Sequence, residues 1–409
     1  MTPSRRAGYH QTRENHPALP HLAHRNHAMP LILDYEPTAA LYGRCAGAGL
    51  TMARIGYSDQ HHLLGIVDGA ARFARDHGID ELPLGVFSTV GHYIFQMLPR
   101  YLHAGHRLPS DGGDPAVYRQ RLLRNARLAT GFLTTVTDAA DPDYGAVHVT
   151  HHYDHGHHTL PGGVRSRNEL LRDLEFIDLF SSVMFDDTHS PFADNVASSI
   201  AYRRFVEGAG RRKVMEGCLE EVAAGGVGLE QSASSSPDQI EAYLARTGFE
   251  LVVPNIGTES VTARQVGVQW QVLEELAARG AGHRLVVHGF SSVRRLAVAD
   301  QRRLGELGVV AMNAFSYIPQ EIGRRLLEQA AAIHDAHDPE NGYPTGFAAD
   351  GAPQFPDPTG RGDANVFFGP LLDQLRDRQV ALIADSVYEI LANLGYARLA
   401  LAPVKSPGL

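Results

Sequence analysis

Leu251-Val252-Val253-Pro254-Asn255-Ile256, the stretch Val266–Arg279, His283-Arg284-Leu285-Val286-Val287-His288, the stretch Ala297–Gly308 and Val309-Val310-Ala311-Met312-Asn313-Ala314 read in order as strand, helix, strand, helix, strand. The strands are short apolar runs, the pattern of strands buried on both faces, whereas the helices repeat apolar residues every three or four positions. The same alternation extends upstream. Leu50–Ile55, Leu82–Phe87, Ala146–His151, Phe180–Asp186 and Lys213–Cys218 read as strands. Ala39–Ala48, His62–His77, Ile94–Leu102, Ala116–Thr135, Arg167–Asp178, Ala193–Gly208, Pro237–Gly248 and Ile318–His334 read as helices. Gly78 closes the second of these, and Ser236 is placed to cap the seventh. Roughly eight strand–helix alternations over about 300 residues predict an α/β chain closed into a (β/α)8 TIM barrel. An open doubly wound sheet is the alternative, but no G-x-G-x-x-G turn follows the first strand.

Residues 31–409 are expected to form one barrel domain. It includes a polar loop at Pro109–Pro115, a long Pro-, Gly- and Asp-rich loop at 335–363, and a final helix, Leu371–Leu394, packed back on the barrel. Residues 1–30 carry charges, prolines and five histidines (His10, His16, His21, His24 and His27) without an apolar core. They read as a mobile arm rather than a secretory signal, with metal scavenging or partner binding as its functional alternative.

Composition narrows the class. With 37 basic and 46 acidic residues the net charge is −9, opposite to the balance expected of a nucleic-acid binder. Two cysteines in 409 residues exclude a disulfide scaffold and fit a reducing, cytoplasmic setting. No apolar run is long enough to span a membrane. Histidine is in excess at 22 residues, which points to a metal site, a histidine-rich tail, or both.

In a barrel of this kind, functional side chains come from the C-terminal ends of the strands. Those ends read His151-His152-Tyr153-Asp154-His155, Asp186-Asp187-Thr188-His189, Glu216-Gly217-Cys218, Gly257-Thr258-Glu259-Ser260, His288-Gly289-Phe290-Ser291-Ser292 and Asn313-Ala314-Phe315-Ser316. Apolar strands that stop repeatedly in His, Asp, Glu and Cys converge on one polar mouth. His151, His157 and His158 read as surface loop residues, Cys45 as core, and Trp270 as structural.

Here the chain resembles the class II, metal-dependent fructose-bisphosphate aldolases, a zinc-using (β/α)8 family. His152-Tyr153-Asp154-His155-Gly156 matches that family's H-x-D-H-G signature. The run from Val183 to Asn195 follows its VMIDGSHLPFEEN stretch. Leu285-Val286-Val287-His288-Gly289 follows LVLHG, and Phe367-Phe368-Gly369-Pro370 precedes the last helix as in the family. The order and spacing together are specific, and the likeness runs from about Ala39 to Tyr396.

The resemblance implies a divalent metal, Zn2+ above all, held by His155 and His288, with Asp154 as the acid/base residue. It places Asp186 in the polar surroundings of the metal, and Gly289, Ser291, Asn313 and Ser316 along a ketose-phosphate pocket. Such a metal polarises a ketone so that the adjacent carbon loses a proton to give an enediolate, and a nearby carboxylate shuttles a proton at the aldehyde oxygen. The chain departs from the pattern at several points. Ser260 stands where the family's third metal histidine would align, with Glu259 before it. Cys218 stands at a metal-site glutamate, with Glu216 two residues earlier. Phe290 and Ser292 replace small glycines, and Phe315 replaces an acid. Catalytic zinc takes three protein ligands, so the expected repair is Cys218 or Glu259, then Glu216 or Asp186.

The functional expectation is an aldolase-type lyase joining or cleaving a C–C bond between a ketose-phosphate or ketose donor and an aldehyde. Its substrate is expected to differ from fructose 1,6-bisphosphate, in a specialised carbohydrate pathway. A metal-dependent epimerase or isomerase on the same barrel is one alternative, and a non-catalytic sugar-phosphate-binding barrel is another. A homo-oligomer is expected only by analogy with the family.

Overall fold

The computed structural model describes residues 31–57, 59–89, 115–138, 141, 143–155, 158–159, 165–166, 173–188, 190–220, 234–258, 267–314, 317–336, 346–347, 352–354 and 369–400. Eight parallel strands close on themselves: β1 (Met52–Gly56), β2 (Leu82–Thr89), β3 (Val147–Asp154), β4 (Ser182–Phe185), β5 (Val214–Cys218), β6 (Leu251–Val253), β7 (Leu285–Val287) and β8 (Val309–Ala314). Each pairs with the next, and β8 returns to β1 through Ala311–Met52 to Ala314–Ile55, so the expected (β/α)8 barrel is present. The packed interior and the surrounding helices cover both faces of the strands, which explains why almost every described strand residue is buried and why the strands read as unbroken apolar runs; Leu31–Ile32 adds a short parallel pairing to Val149–Thr150.

The helices around it are α1 (Tyr35–Gly47), α2 (Gln60–His77), α3 (Pro115–Val136), α4 (Phe192–Gly208), α5 (Pro237–Thr247), α6 (Trp270–Ala278), α7 (Val298–Glu306), α8 (Tyr317–Asp335) and α9 (Gly369–Leu394). Several boundaries follow from local chemistry. Asp59 caps α2 by accepting from the amides of His61 and His62, and Gly78 ends it in the left-handed region. Ser236 and Gln239 form a reciprocal capping box at the start of α5, with Pro237 in the first turn. β6 stops at Val253, shorter than expected, because Pro254 has no amide for the ladder. β3 runs on to Asp154, three residues beyond expectation, pairing along its whole length with β2.

Residues 174–177 are the helical part described within the expected Arg167–Asp178 helix. The expected helix at Ile94–Leu102 and residues 1–30 lie outside the described residues, as does nearly all of the Pro109–Pro115 loop. In the 335–363 region, Gly346–Phe347 and Pro353–Gln354 pair as a small antiparallel ribbon.

The C-terminal helix packs on the barrel as expected, lying along α2. Gly69 permits the contact, since a Cβ there would stand 2.4 Å from the Ala384 carbonyl oxygen. Just past α9, the Tyr396 hydroxyl accepts from the Ala53 amide at 2.7 Å, tying the C-terminal segment to β1. α1 precedes the first barrel strand and packs against β5 and β8. Among the described residues no helix is long and apolar enough to cross a membrane.

Candidate metal and catalytic site

Strand alternation sets the site. Along β3, His152 and Asp154 are two residues apart and share one face, and His151 and Tyr153 share the other. The second face is aromatic: His151 lies 4.4 Å from Phe180 ring to ring, and Tyr153 meets Phe176 edge-on at 4.9 Å. His151 is therefore not the surface loop residue expected from sequence. It is fully buried, with Nε2 2.7 Å from the Tyr57 hydroxyl and Nδ1 3.1 Å from the Leu179 carbonyl. Burial lowers its pKa to about 3. His157 lies outside the described residues, and His158 sits on a two-residue strand paired with Arg165–Ser166. Cys45 is core, as expected.

Asp154 ends β3 and is 4% exposed. The next residue, His155, is the one non-glycine residue with positive φ among those described, at 51°. A left-handed histidine costs roughly 1–2 kcal/mol. That turn brings His155 beside His288, which follows β7, with ring centroids 5.1 Å apart and planes at 76°. Asp154, His155 and His288 each offer a ligand atom, all within 4.8 Å of one another.

Asp186, at the end of β4, orients His155. Its Oδ2 is 2.8 Å from His155 Nδ1, and its Oδ1 accepts from the Thr188 amide at 3.0 Å and the Thr188 hydroxyl at 2.9 Å. With Nδ1–H donated to Asp186, Nε2 is the nitrogen left to bind an ion. Burial alone would favour a neutral His155. Asp154 and Asp186 outweigh it and push the ring up to about 9. Conversely, burial works against the Asp154 carboxylate, but His155 and His288 overcome it and hold the group far below the usual range.

Asn313, on β8, links the two sides. Its Nδ2 donates to Asp154 Oδ1 and to His288 Nε2, both at 2.9 Å. The second bond makes Nε2 of His288 an acceptor, the tautomer a metal ligand also needs. Gly289 caps a single helical turn, Phe290–Val293, in which Ser291 is 8% exposed and the Ser292 hydroxyl donates to the Gly289 carbonyl at 2.8 Å. Ser316, Phe315, Glu259 and Ser260 lie outside the described residues.

Cys218 is not among the grouped ligands. It shares the inward face of β5 with Glu216, but its thiol donates to the Glu220 carbonyl at 3.4 Å. Burial, reinforced by Asp186, Glu216 and Asp154, raises its pKa well above the ordinary value, which disfavours a thiolate. Glu216 is placed better: its Oε1 is 3.6 Å from His288 Nε2. Burial raises its pKa, but Arg54 and the two histidines His152 and His288 outweigh this and keep it ionised.

Sequence reasoning missed His152 and Arg54. His152 Nε2 lies 3.7 Å from Glu216 Oε1 and 3.8 Å from Asp154 Oδ1, and these three residues form a second possible ligand group. Arg54, fully buried on β1, reaches Glu216 Oε2 at 2.6 Å. Both left a signal. A His-x-Asp run on a strand puts both side chains on one face, and an arginine inside the apolar run Met52–Ile55 needs a buried partner.

The donor chemistry fits a divalent ion. Imidazole nitrogens and carboxylate oxygens are zinc ligands, and two of the buried ones, His152 Nε2 and Glu216 Oε1, make no hydrogen bond.

In sequence and in fold the chain is similar to known aldolases. The family model described as fructose-bisphosphate aldolase class-II matches residues 120–349. A fructose-bisphosphate aldolase of Treponema pallidum (strain Nichols) is 31% identical over 148 residues, covering 31% of this chain and 43% of that protein. The D-tagatose-1,6-bisphosphate aldolase subunit GatY of Klebsiella oxytoca is 28% identical over 207 residues, covering 48% of this chain and 64% of that protein. The chain thus spans between 43% and 64% of the length of these curated relatives. Among solved structures, the fructose-bisphosphate aldolase of Campylobacter jejuni superposes with a TM-score of 0.58 at 14% identity, over 89% of this chain and 95% of that one. The YdjI aldolase of Escherichia coli K12 gives 0.50 at 14% identity, over 87% and 96%. At such identities these structures speak to the fold alone.

Proposed function

Because the chain belongs to the class II fructose-bisphosphate aldolase family, we propose that it is a metal-dependent lyase that makes or breaks a carbon–carbon bond between a ketose or ketose-phosphate donor and an aldehyde. The observation that carries this reading is the meeting of Asp154, His155 and His288, from the ends of two strands far apart in sequence, within 4.8 Å. His155 and His288 would hold a divalent ion, Zn2+ by preference. When bound, that ion supplies a Lewis acid for a substrate carbonyl oxygen.

The remaining chemistry belongs to the chain. Asp154 stays ionised beside the two histidines, so it can accept a proton from a substrate hydroxyl during cleavage and return it during condensation. Asn313 fixes the Asp154 carboxylate and the His288 ring against each other. Asp186 and Thr188 hold the His155 ring in its turn. Gly289, Ser291, Asn313 and Ser316 would line the donor pocket.

Phe290 and Ser292, where the family carries small glycines, support a substrate other than fructose 1,6-bisphosphate in a specialised carbohydrate pathway. The test is a coupled assay for triose release by the Zn2+-loaded protein over a panel of ketose phosphates, including fructose and tagatose 1,6-bisphosphates. Triose release is the expected result. Conversion of one ketose into its epimer without triose would replace this reading with an epimerase. No turnover together with sugar-phosphate binding would leave a binding barrel.

A further inference from the structure

We infer that Arg54 is a positioning residue for the proposed reaction: by fixing which way the Asn313 amide faces, it holds the Asp154 carboxylate with Oδ1 engaged and Oδ2 left for the substrate. The inference rests on the lyase reading above, with His155 and His288 as the metal ligands and Asp154 as the proton carrier.

Barrel closure makes the two residues neighbours. Arg54 and Asn313 stand opposite each other in the β1–β8 ladder, and Gly85 faces Arg54 from β2. The missing side chain of Gly85 leaves room for the arginine stem inside the barrel. Arg54 is completely buried, so it cannot touch a substrate directly. Its guanidinium is held on two sides. Nε and Nη2 donate to the Tyr42 hydroxyl at 3.0 and 2.6 Å, and Nη1 donates to Glu216 Oε2 at 2.6 Å. These bonds fix the planar fork, and Nη1 also donates to Asn313 Oδ1 at 3.4 Å. Burial opposes the charge, but Glu216 and Tyr42 outweigh it and raise the pKa, so the cation is permanent.

Asn313 therefore lies between a cation and an anion. With Oδ1 toward Arg54 and Nδ2 toward Asp154, both contacts attract. The reversed amide would set a carbonyl oxygen against the carboxylate and amide hydrogens against the guanidinium. In the orientation that Arg54 selects, Nδ2 donates to Asp154 Oδ1 and to His288 Nε2, both at 2.9 Å. Asp154 Oδ2 is then the oxygen on the His155 side, 4.0 Å from His155 Nε2. Without the guanidinium the amide has no reason to keep this orientation, and the carboxylate loses the donor that sets its angle. A purely structural Arg54–Glu216 pair would instead affect stability alone.

The test uses the full chain and compares Arg54→Met/Glu216→Gln, which removes both charges of the buried pair, with Glu216→Gln alone. In crystal structures, the double variant is expected to lose the bond from Asn313 Nδ2 to Asp154 Oδ1, and Glu216→Gln to keep it. With the ketose phosphate that the triose assay identifies, kcat of the double variant is expected to fall about 10–100-fold below that of Glu216→Gln with KM little changed, since a small misplacement of a reacting group costs that much. Adding Asn313→Ala to the double variant is expected to give no loss beyond that of Asn313→Ala with Glu216→Gln, because Arg54 acts through Asn313. If the double variant fails to fold, Arg54→Lys, which keeps the charge and gives up the fork, goes through the same cycle with Asn313→Ala and is expected to show a smaller loss that is again not additive. An Asn313–Asp154 bond that survives in the double variant would overturn the inference, as would losses that multiply with Asn313→Ala. A parent that turns over none of the ketose phosphates would defeat the lyase reading, and the crystal comparison would then decide by itself whether Arg54 sets the Asn313 amide.

Discussion

His155 Nδ1 and Asp186 Oδ2 stand 2.8 Å apart, joining the end of β3 to the end of β4. The bond holds a left-handed histidine against its own backbone preference, and Thr188 holds the carboxylate. Asp186→Ala frees the ring. Its metal affinity should fall about 10–100-fold, as for other carboxylates behind a metal histidine. Chelator competition with Zn2+ measures this, and unchanged affinity would mean that the turn alone fixes His155.

Replacing the ligands themselves should act more strongly. His155→Ala and His288→Ala should each lose metal on elemental analysis after dialysis. Cys218→Ser should keep it, because the thiol is turned to the Glu220 carbonyl and a hydroxyl can take the same bond. Loss of metal in Cys218→Ser would make the thiol a ligand after all.

Asp154→Asn keeps the shape of the side chain and removes the titrating proton. Turnover in the triose assay should drop by about 10²–10⁴, the usual contribution of a positioned acid/base group. Metal content should persist, since histidine donors remain. If activity and metal disappear together, Asp154 serves as a ligand rather than a proton carrier.

Gly85 on β2 faces Arg54 on β1, and a Cβ there would stand 2.5 Å from Arg54 Cγ. Gly85→Ala therefore overfills the barrel interior and should cost about 1–3 kcal/mol in urea unfolding. An equal or higher midpoint would show that the Arg54 stem can move aside.

His151 gives a pH prediction. Burial lowers its pKa to about 3, against about 6.5 in an unfolded chain. Between those values the unfolded chain takes up a proton that the folded chain refuses. Stability is therefore complete above about pH 6.5 and is lost as pH falls toward 3. His151→Gln removes that proton, so its stability should fall with acid less steeply than the parent's, by up to roughly 1.4 kcal/mol per pH unit. Parallel slopes in pH-dependent denaturation would assign the acid sensitivity to other groups.

The sequence by itself determined the barrel and much of its punctuation. Strands buried on both faces must be apolar throughout, and helix ends need local partners, so Val309–Ala314 and the Ser236–Gln239 capping box are legible within a few residues. It also determined that Asp154, His155, Asp186, His288 and Asn313 lie at strand ends, because apolar runs stop there. What it could not determine is which of those ends meet. Arg54 and Glu216 are 162 residues apart, and nothing in either neighbourhood names the other. Their pairing follows from barrel closure, which turns the inward faces of β1, β5 and β8 toward a common axis. The same closure took His151 out of the expected loop, since β3 runs three residues further than its apolar stretch alone requires while β2 supplies hydrogen bonds to Asp154. Local propensity is written residue by residue, whereas burial and pairing across the barrel exist only once all eight strands are in register.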